Sequence, residues 1–267
     1  MEDVRVRIEI DKHGVADVCL ARGDKMNALD SAMFDALADA VRRLKVERGL
    51  RAVVLHGEGK AFCAGLDMAQ MARLHAGGPG ALRDLRPRTH GLANSAQIVG
   101  LGWREVPVPV MAAVHGVAFG GGLQVALGAD LRLVSADAQM SVMEIKWGLV
   151  PDMAGVALMR GLVRDDHARE LAYTGRIVPA DEAVALGLGT RVCDDPLAEA
   201  RAMARAISLR SPSAIRAAKR LLNLAVAADA ASGLMAESVE QQKLIGSPNQ
   251  LEAVMSNLQK RAANYKD

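Results

Sequence analysis

Between Val106 and Ala129 the chain carries no formal charge, in VPVPVMAAVHGVAFGGGLQVALGA. A run of this length would suffice for a membrane-spanning helix, which needs about 20 apolar residues. Its composition forbids that use. Pro107, Pro109 and the triplet Gly120, Gly121 and Gly122 would break a spanning helix, and His115 would be costly in hydrocarbon. What remains is a strand over Val108 to Val114, a tight glycine turn, and a buried helix opening over Leu123 to Leu127. A membrane partner is therefore not expected.

The flanking sequence extends this pattern. Alternation predicts strands from Val4 to Ile10 and Val15 to Ala21, and helical spacing predicts a helix from Ser31 to Val46 with Asp30 as its N-cap. A short apolar run from Arg51 to His56 reads as a strand. Met68 to Arg88, rich in Met, Gly and Arg, reads as a surface insertion, and helical periodicity returns over Thr89 to Gly100. Further strands are expected at Leu131 to Val134, Gln139 to Val142 and Thr190 to Cys193. Helices are expected at Met153 to Leu162, Asp165 to Tyr173 and Ala180 to Leu186. From Pro196 to Asp267 the pattern is almost wholly helical. The expected class is α/β, with a core over residues 1–195 and a helical region over 196–267 that packs on another subunit.

With 267 residues, half of them hydrophobic (51%), the chain can bury a substantial core. A formal charge of +2 gives no electrostatic argument for a nucleic-acid partner. Cys19, Cys63 and Cys193 are odd in number and fit no metal spacing, which suits a reducing compartment. The opening MEDVRVRIEI reads as a strand rather than a signal peptide, so cytoplasm is the expected location. The six histidines are scattered without ligand spacing, so no metal is expected. GEGKA at 57–61 lacks the first glycine and the hydroxyl of a phosphate loop, and no G-x-S-x-G elbow is present.

Two glycine turns remain, GKAFCAGLDM and HGVAFGGGLQV, each after a predicted strand and before helix-like sequence. Each can present main-chain N–H groups, and two such donors converging would hold an oxyanion.

AFCAGLDM together with AAVHGVAFGGGLQVALGADLRLVSADAQMSVMEIKWGLVP, and GDKMNALD before them, strongly resembles the crotonase (enoyl-CoA hydratase/isomerase) superfamily from Val4 to QKRAANYKD. The resemblance implies a spiral of ββα units with a helical C-terminal trimerisation region, and a trimer or a dimer of trimers. It also implies an acyl-CoA thioester substrate whose carbonyl is polarised by two backbone N–H groups, matched here to Ala64 and Gly121. Coenzyme A, entering as part of the substrate, is matched to Lys25, Met26, Ala28, Leu66 and Asp67, with Lys260 reaching a neighbour's nucleotide. No separate cofactor is implied.

Hydratases of this superfamily carry glutamates at the positions of Gln124 and Glu144, and this chain keeps only the second. An amide can orient water but cannot exchange a proton in the useful range. Asp152, eight residues after Glu144, resembles the spacing in dienoyl-CoA isomerases, which have an aspartate where this chain has Gln124. The pattern favours double-bond migration with Glu144 and Asp152 as the proton carriers. The alternatives are a hydratase in which Gln124 positions water, a thioester hydrolase, and a non-catalytic acyl-CoA- or RNA-binding relative. Asp152 could also cap the helix after it, and Gln124 could pin the second turn. Trp147 is expected in the core, while Met68 and Met71 could line an acyl pocket or simply pack.

Overall fold

The computed structural model describes residues 4–67, 69 and 84–267. Met68, Met71 and most of the expected insertion lie outside the described residues.

The N-terminal alternation folds into β1 (Val6–Ile10) and β2 (Val15–Leu20), an antiparallel pair joined at Gly14, whose φ is +75°. Helix α1 (Ser31–Val46) begins where expected, because the Asp30 carboxylate accepts from the Met33 N–H at 2.8 Å. Arg5 closes on the same carboxylate. Met33, Leu37, Ala40, Val41 and Leu44 form its buried stripe, at the spacing a single helical face requires.

β3 (Ala52–Gly57) adds in parallel to β2, and β4 (Val110–Val114) adds in parallel to β3. β5 (Val117–Phe119) then leaves for a second sheet before α3 (Gly121–Gly128). The next turn of chain repeats the device: β6 (Leu131–Val134) joins β4 in the first sheet and β7 (Gln139–Ser141) joins β5 in the second. β8 (Val178–Pro179) completes the small sheet and β9 (Arg191–Val192) extends the large one. The result is a six-stranded sheet in the order β1-β2-β3-β4-β6-β9 beside a three-stranded sheet β5-β7-β8. This is the strand–strand–helix spiral that the resemblance implies.

The helix expected over Thr89–Gly100 starts late. Gly91 takes φ +66° and the Asn94 side chain accepts from the Ala96 and Gln97 N–H groups, so this segment is a turn. Helix α2 runs instead over Ile98–Glu105. A Cβ on Gly128 would lie 2.0 Å from the Gly100 carbonyl oxygen. Glycines unfavourable to a helix are thus needed for α2 and α3 to touch.

Beyond the site come α4 (Gly155–Met159), shorter than expected, then α5 (Asp165–Thr174) and α6 (Ala180–Leu186). The C-terminal helices are α7 (Pro196–Ser208), α8 (Pro212–Ala225), α9 (Ala230–Leu244) and α10 (Pro248–Leu258), followed by a non-helical tail. α7 does not stand apart with the others. Its Ala200 and Ala204 pack on Ala52, Val54, Met111 and Ala113, covering one face of the large sheet.

Two polar anchors are buried in this frame. Lys219 of α8 donates to the carbonyls of Trp103 and Val108 and pairs with Asp130 at 2.8 Å. His56 of β3 meets Asp17 at 2.5 Å. Burial pushes its imidazole down, but the bond to Asp17 prevails and holds it at about 9. Among the described residues no helix is long and apolar enough to cross a membrane.

Candidate active site

The two glycine turns meet because β3 and β4 are parallel neighbours, so the segments leaving them emerge at the same end of the sheet. Cys63 locks them together: its N–H donates to Val117 O at 3.0 Å and its carbonyl accepts from Phe119 N at 3.1 Å. The loop GDKMNAL packs on the first turn through buried Asn27, which donates to the carbonyls of Glu58 and Ala61. That contact places Lys25, Met26 and Ala28 on the rim of a cavity of about 730 Å³.

The cavity gathers Ala64, Leu66, Asp67, Gly121, Gln124, Glu144 and Asp152, together with the rim residues. Of the expected site residues only Lys260 stands outside it, exposed beyond the end of α10 with φ +51°. Apolar wall comes from Phe34, Phe119, Leu149 and Met153, none of which the sequence reading singled out. Leu149 and Met153 flank Asp152 and were within reach of that reading. Phe34 belongs to a helix distant in sequence and gave no local signal.

The second sheet places the acids. β5 and β7 run parallel, and Gly120 N donates to Ser141 O at 2.9 Å. Glu144, three residues past β7, therefore lies against the start of α3. There Gln124 Nε2 donates to Glu144 Oε1 at 2.6 Å. Glu144 Oε2 is buried and has no hydrogen-bond partner among the described residues. Burial raises the Glu144 carboxyl above its ordinary range; the Gln124 hydrogen bond opposes this and the charge of Asp152 adds to it. Burial raises Asp152 as well.

Three expectations are corrected here. The Ala64 N–H is not free to receive an oxyanion, because it donates to the Met26 carbonyl at 2.9 Å. Two residues on, Leu66 N–H has no partner among the described residues, and neither has Gly121 N–H at the first position of α3. Asp152 is not a helix cap: α4 starts from Ala154, at φ +70°, with no side-chain cap. Its acid is thus held toward the neutral form, opposite to the effect of a cap. Trp147 lies on the cavity wall with 43% of its surface exposed, and Trp103 is the tryptophan that fills the core. A 3-10 turn over Glu144–Trp147 turns the Trp147 ring outward while Glu144 faces in.

Asp67 is at the rim as expected, with its carboxylate bound to Arg22 at 2.6 Å. The glycine triplet serves several ends. Gly120 has φ +50° and ψ −119°, a conformation L-residues avoid. A Cβ on Gly122 would stand 2.2 Å from the Cys63 carbonyl oxygen, whereas one on Gly121 would meet only the side-chain ends of Leu29 and Met153.

Comparison with known proteins agrees with this architecture. The Bacillus subtilis protein YngF, which carries the name of an enoyl-CoA hydratase/isomerase, is 32% identical over 94% of this chain and 94% of its own. The mitochondrial methylglutaconyl-CoA hydratase of Mus musculus is 29% identical over 99% of this chain and 84% of its own. The crystal structure of an enoyl-CoA hydratase from Mycobacterium smegmatis superposes with a TM-score of 0.84 at 33% identity, covering 97% of this chain and 98% of that one. The enoyl-CoA hydratase/isomerase family profile matches residues 11–267. Sequence, spiral topology and the paired glycine turns agree: this chain belongs to the enoyl-CoA hydratase/isomerase family.

Proposed function

We propose that this enzyme shifts a double bond in a (di)enoyl-CoA thioester, with Glu144 and Asp152 carrying the protons. The observation that carries the reading is the pair itself: two carboxyls opening on one cavity, both raised by burial, with an amide at 124. Two carboxyls raised by burial on one cavity let one keep its proton while the other accepts, which is what moving a proton between two carbons of a conjugated system requires.

In this mechanism one carboxylate removes a proton next to the double bond and electron density moves onto the thioester oxygen. The N–H groups of Gly121 and Leu66 hold that oxygen; one such donor is worth about 10²–10³ in rate. A proton then returns at the other end of the conjugated system, and no water or redox partner is consumed. Coenzyme A lies along Lys25, Met26, Ala28, Leu66 and Asp67 in this reading, and no separate cofactor enters.

A hydratase is the second reading, favoured by the names of the relatives. It would use Glu144 with water held near Gln124. Incubation with a 3,5-dienoyl-CoA and, in parallel, with 2-enoyl-CoA esters separates the two by ultraviolet absorbance. Growth of a conjugated 2,4-dienoyl band is expected; loss of the enoyl band alone would replace isomerisation by hydration. Asp152→Asn is expected to lower isomerisation by about 10²-fold or more, and an unaffected rate would leave Asp152 as a bystander.

We also propose a homo-trimer or hexamer. The support is apolar surface on α8–α10, where Leu222, Leu234, Met235, Leu251 and Leu258 are all more than half exposed. Lys260 follows this surface, which suits a contact with a neighbour's nucleotide. Light scattering should return three or six chain masses, and a monomer at micromolar concentration would refute the assembly.

A further inference from the structure

Gln124 is almost completely buried, and its hydrogen bonds run in two directions. Its Oε1 accepts from the main-chain N–H groups of Met153 and Gly155, both at 2.8 Å, while its Nε2 donates to Glu144 Oε1 at 2.6 Å. The orientation of the amide follows from these partners. Two N–H donors require the oxygen on one side, and a carboxylate requires the nitrogen on the other. Both lone pairs of Oε1 are used, so this side chain has no acceptor left for water or substrate. It joins the segment bearing Glu144 to the segment bearing Asp152.

We infer that Gln124 is a positioning residue: its donation to Oε1 reserves Oε2 of Glu144 as the one oxygen that exchanges protons, and its grip on Met153 and Gly155 holds the segment bearing Asp152 on the same cavity. The inference rests on the proton-carrying roles proposed above. An N–H held at Oε1 disfavours a proton there, because a protonated oxygen accepts a hydrogen bond more weakly than the unprotonated oxygen of the same carboxyl. Oε2, which has no partner among the described residues, becomes the seat of the mobile proton. Gln124 therefore acts through Glu144 and touches no reacting atom.

Gln124→Glu tests this, because it keeps the shape and an oxygen for the two N–H groups while a second carboxyl replaces the donation to Glu144. Its second oxygen would face Glu144 Oε1 acceptor to acceptor, so the pair must share a proton and titrate together. The expected result is a pH–kcat profile whose acid limb moves up by about one pH unit, a roughly tenfold loss on that limb, with KM little changed. An acid limb that stays where it is would mean that position 124 does not bond to Glu144 in the working enzyme, and that outcome overturns the inference.

A second measurement needs no turnover and leaves Gln124 in place. In the unaltered protein the side-chain amide proton of Gln124 should follow the titration of Glu144 by NMR, and that response should vanish in Glu144→Gln. An amide signal indifferent to pH across the Glu144 titration would also overturn it. Failure of the wild type to act on a 3,5-dienoyl-CoA, by contrast, sinks the isomerase reading and leaves the NMR result interpretable.

Discussion

Glu144→Gln is expected to lower turnover by about 10²–10⁴-fold, the usual worth of a positioned acid or base, without weakening the fold. The replacement keeps the shape of the side chain and can turn its oxygen toward Gln124 Nε2, so the hydrogen bond at Oε1 survives. Only the proton exchange proposed for Oε2 is lost. The stability effect has a definite sign. Because burial raises the folded-state carboxyl, ionised Glu144 opposes folding. That cost grows as pH rises from the unfolded value toward the folded one and stays constant above it. The variant should therefore melt at or above the wild-type temperature at pH 8, with the difference vanishing near pH 4. Thermal melts at both pH values, with steady-state kinetics and the affinity for a saturated acyl-CoA, check all three parts. Undiminished turnover would remove Glu144 from the mechanism; a large fall in melting temperature would make its role structural.

Gly122→Ala should strongly destabilise the fold where the two glycine turns meet. The added methyl would lie 2.2 Å from the Cys63 carbonyl oxygen and 2.8 Å from the carbonyl carbon. These are backbone atoms held between Val117 and Phe119, so they cannot step aside as a side-chain end would. Either the two glycine turns part or α3 shifts, and the expected loss is about 3 kcal/mol or more, at the upper end for overpacking. Gly121→Ala is the informative neighbour. Its methyl meets Leu29 and Met153 side-chain ends, so the loss of stability should be smaller. Gly49→Ala offers a further comparison, with open space and only a φ of +73° to oppose it, at a cost of about 1 kcal/mol. Denaturant unfolding of the three variants should rank Gly122→Ala as the most destabilised. Equal losses at 121 and 122 would mean that the turns yield more easily than the close approach implies.

Much of the frame was legible because its signals are local. The Asp30 cap, the apolar stripe of α1 and the uncharged run over β4, β5 and α3 each record contacts within a few residues or burial on both sides. Thr89–Gly100 misled for a related reason: helical periodicity was present, but Gly91 and the Asn94 side chain offered the backbone other hydrogen bonds. Trp147 misled because its direction depends on how a single short turn is seated.

The sequence alone determined which chemical groups the site could contain: glycine turns able to expose N–H groups, an amide at 124, and acids at 144 and 152. Composition and order suffice for that, since these are properties of the residues themselves. Which N–H groups stay free was settled only by the tertiary structure. The GDKMNAL loop takes the N–H of Ala64 and leaves that of Leu66, a competition between segments far apart in the chain. Likewise the bond from Gln124 to Glu144 exists because β5 and β7 are parallel neighbours, which brings the start of α3 against the residues that follow β7. Hydrogen-bond partners are claimed in three dimensions, and a linear pattern records a group's capacity to bond without recording which partner claims it.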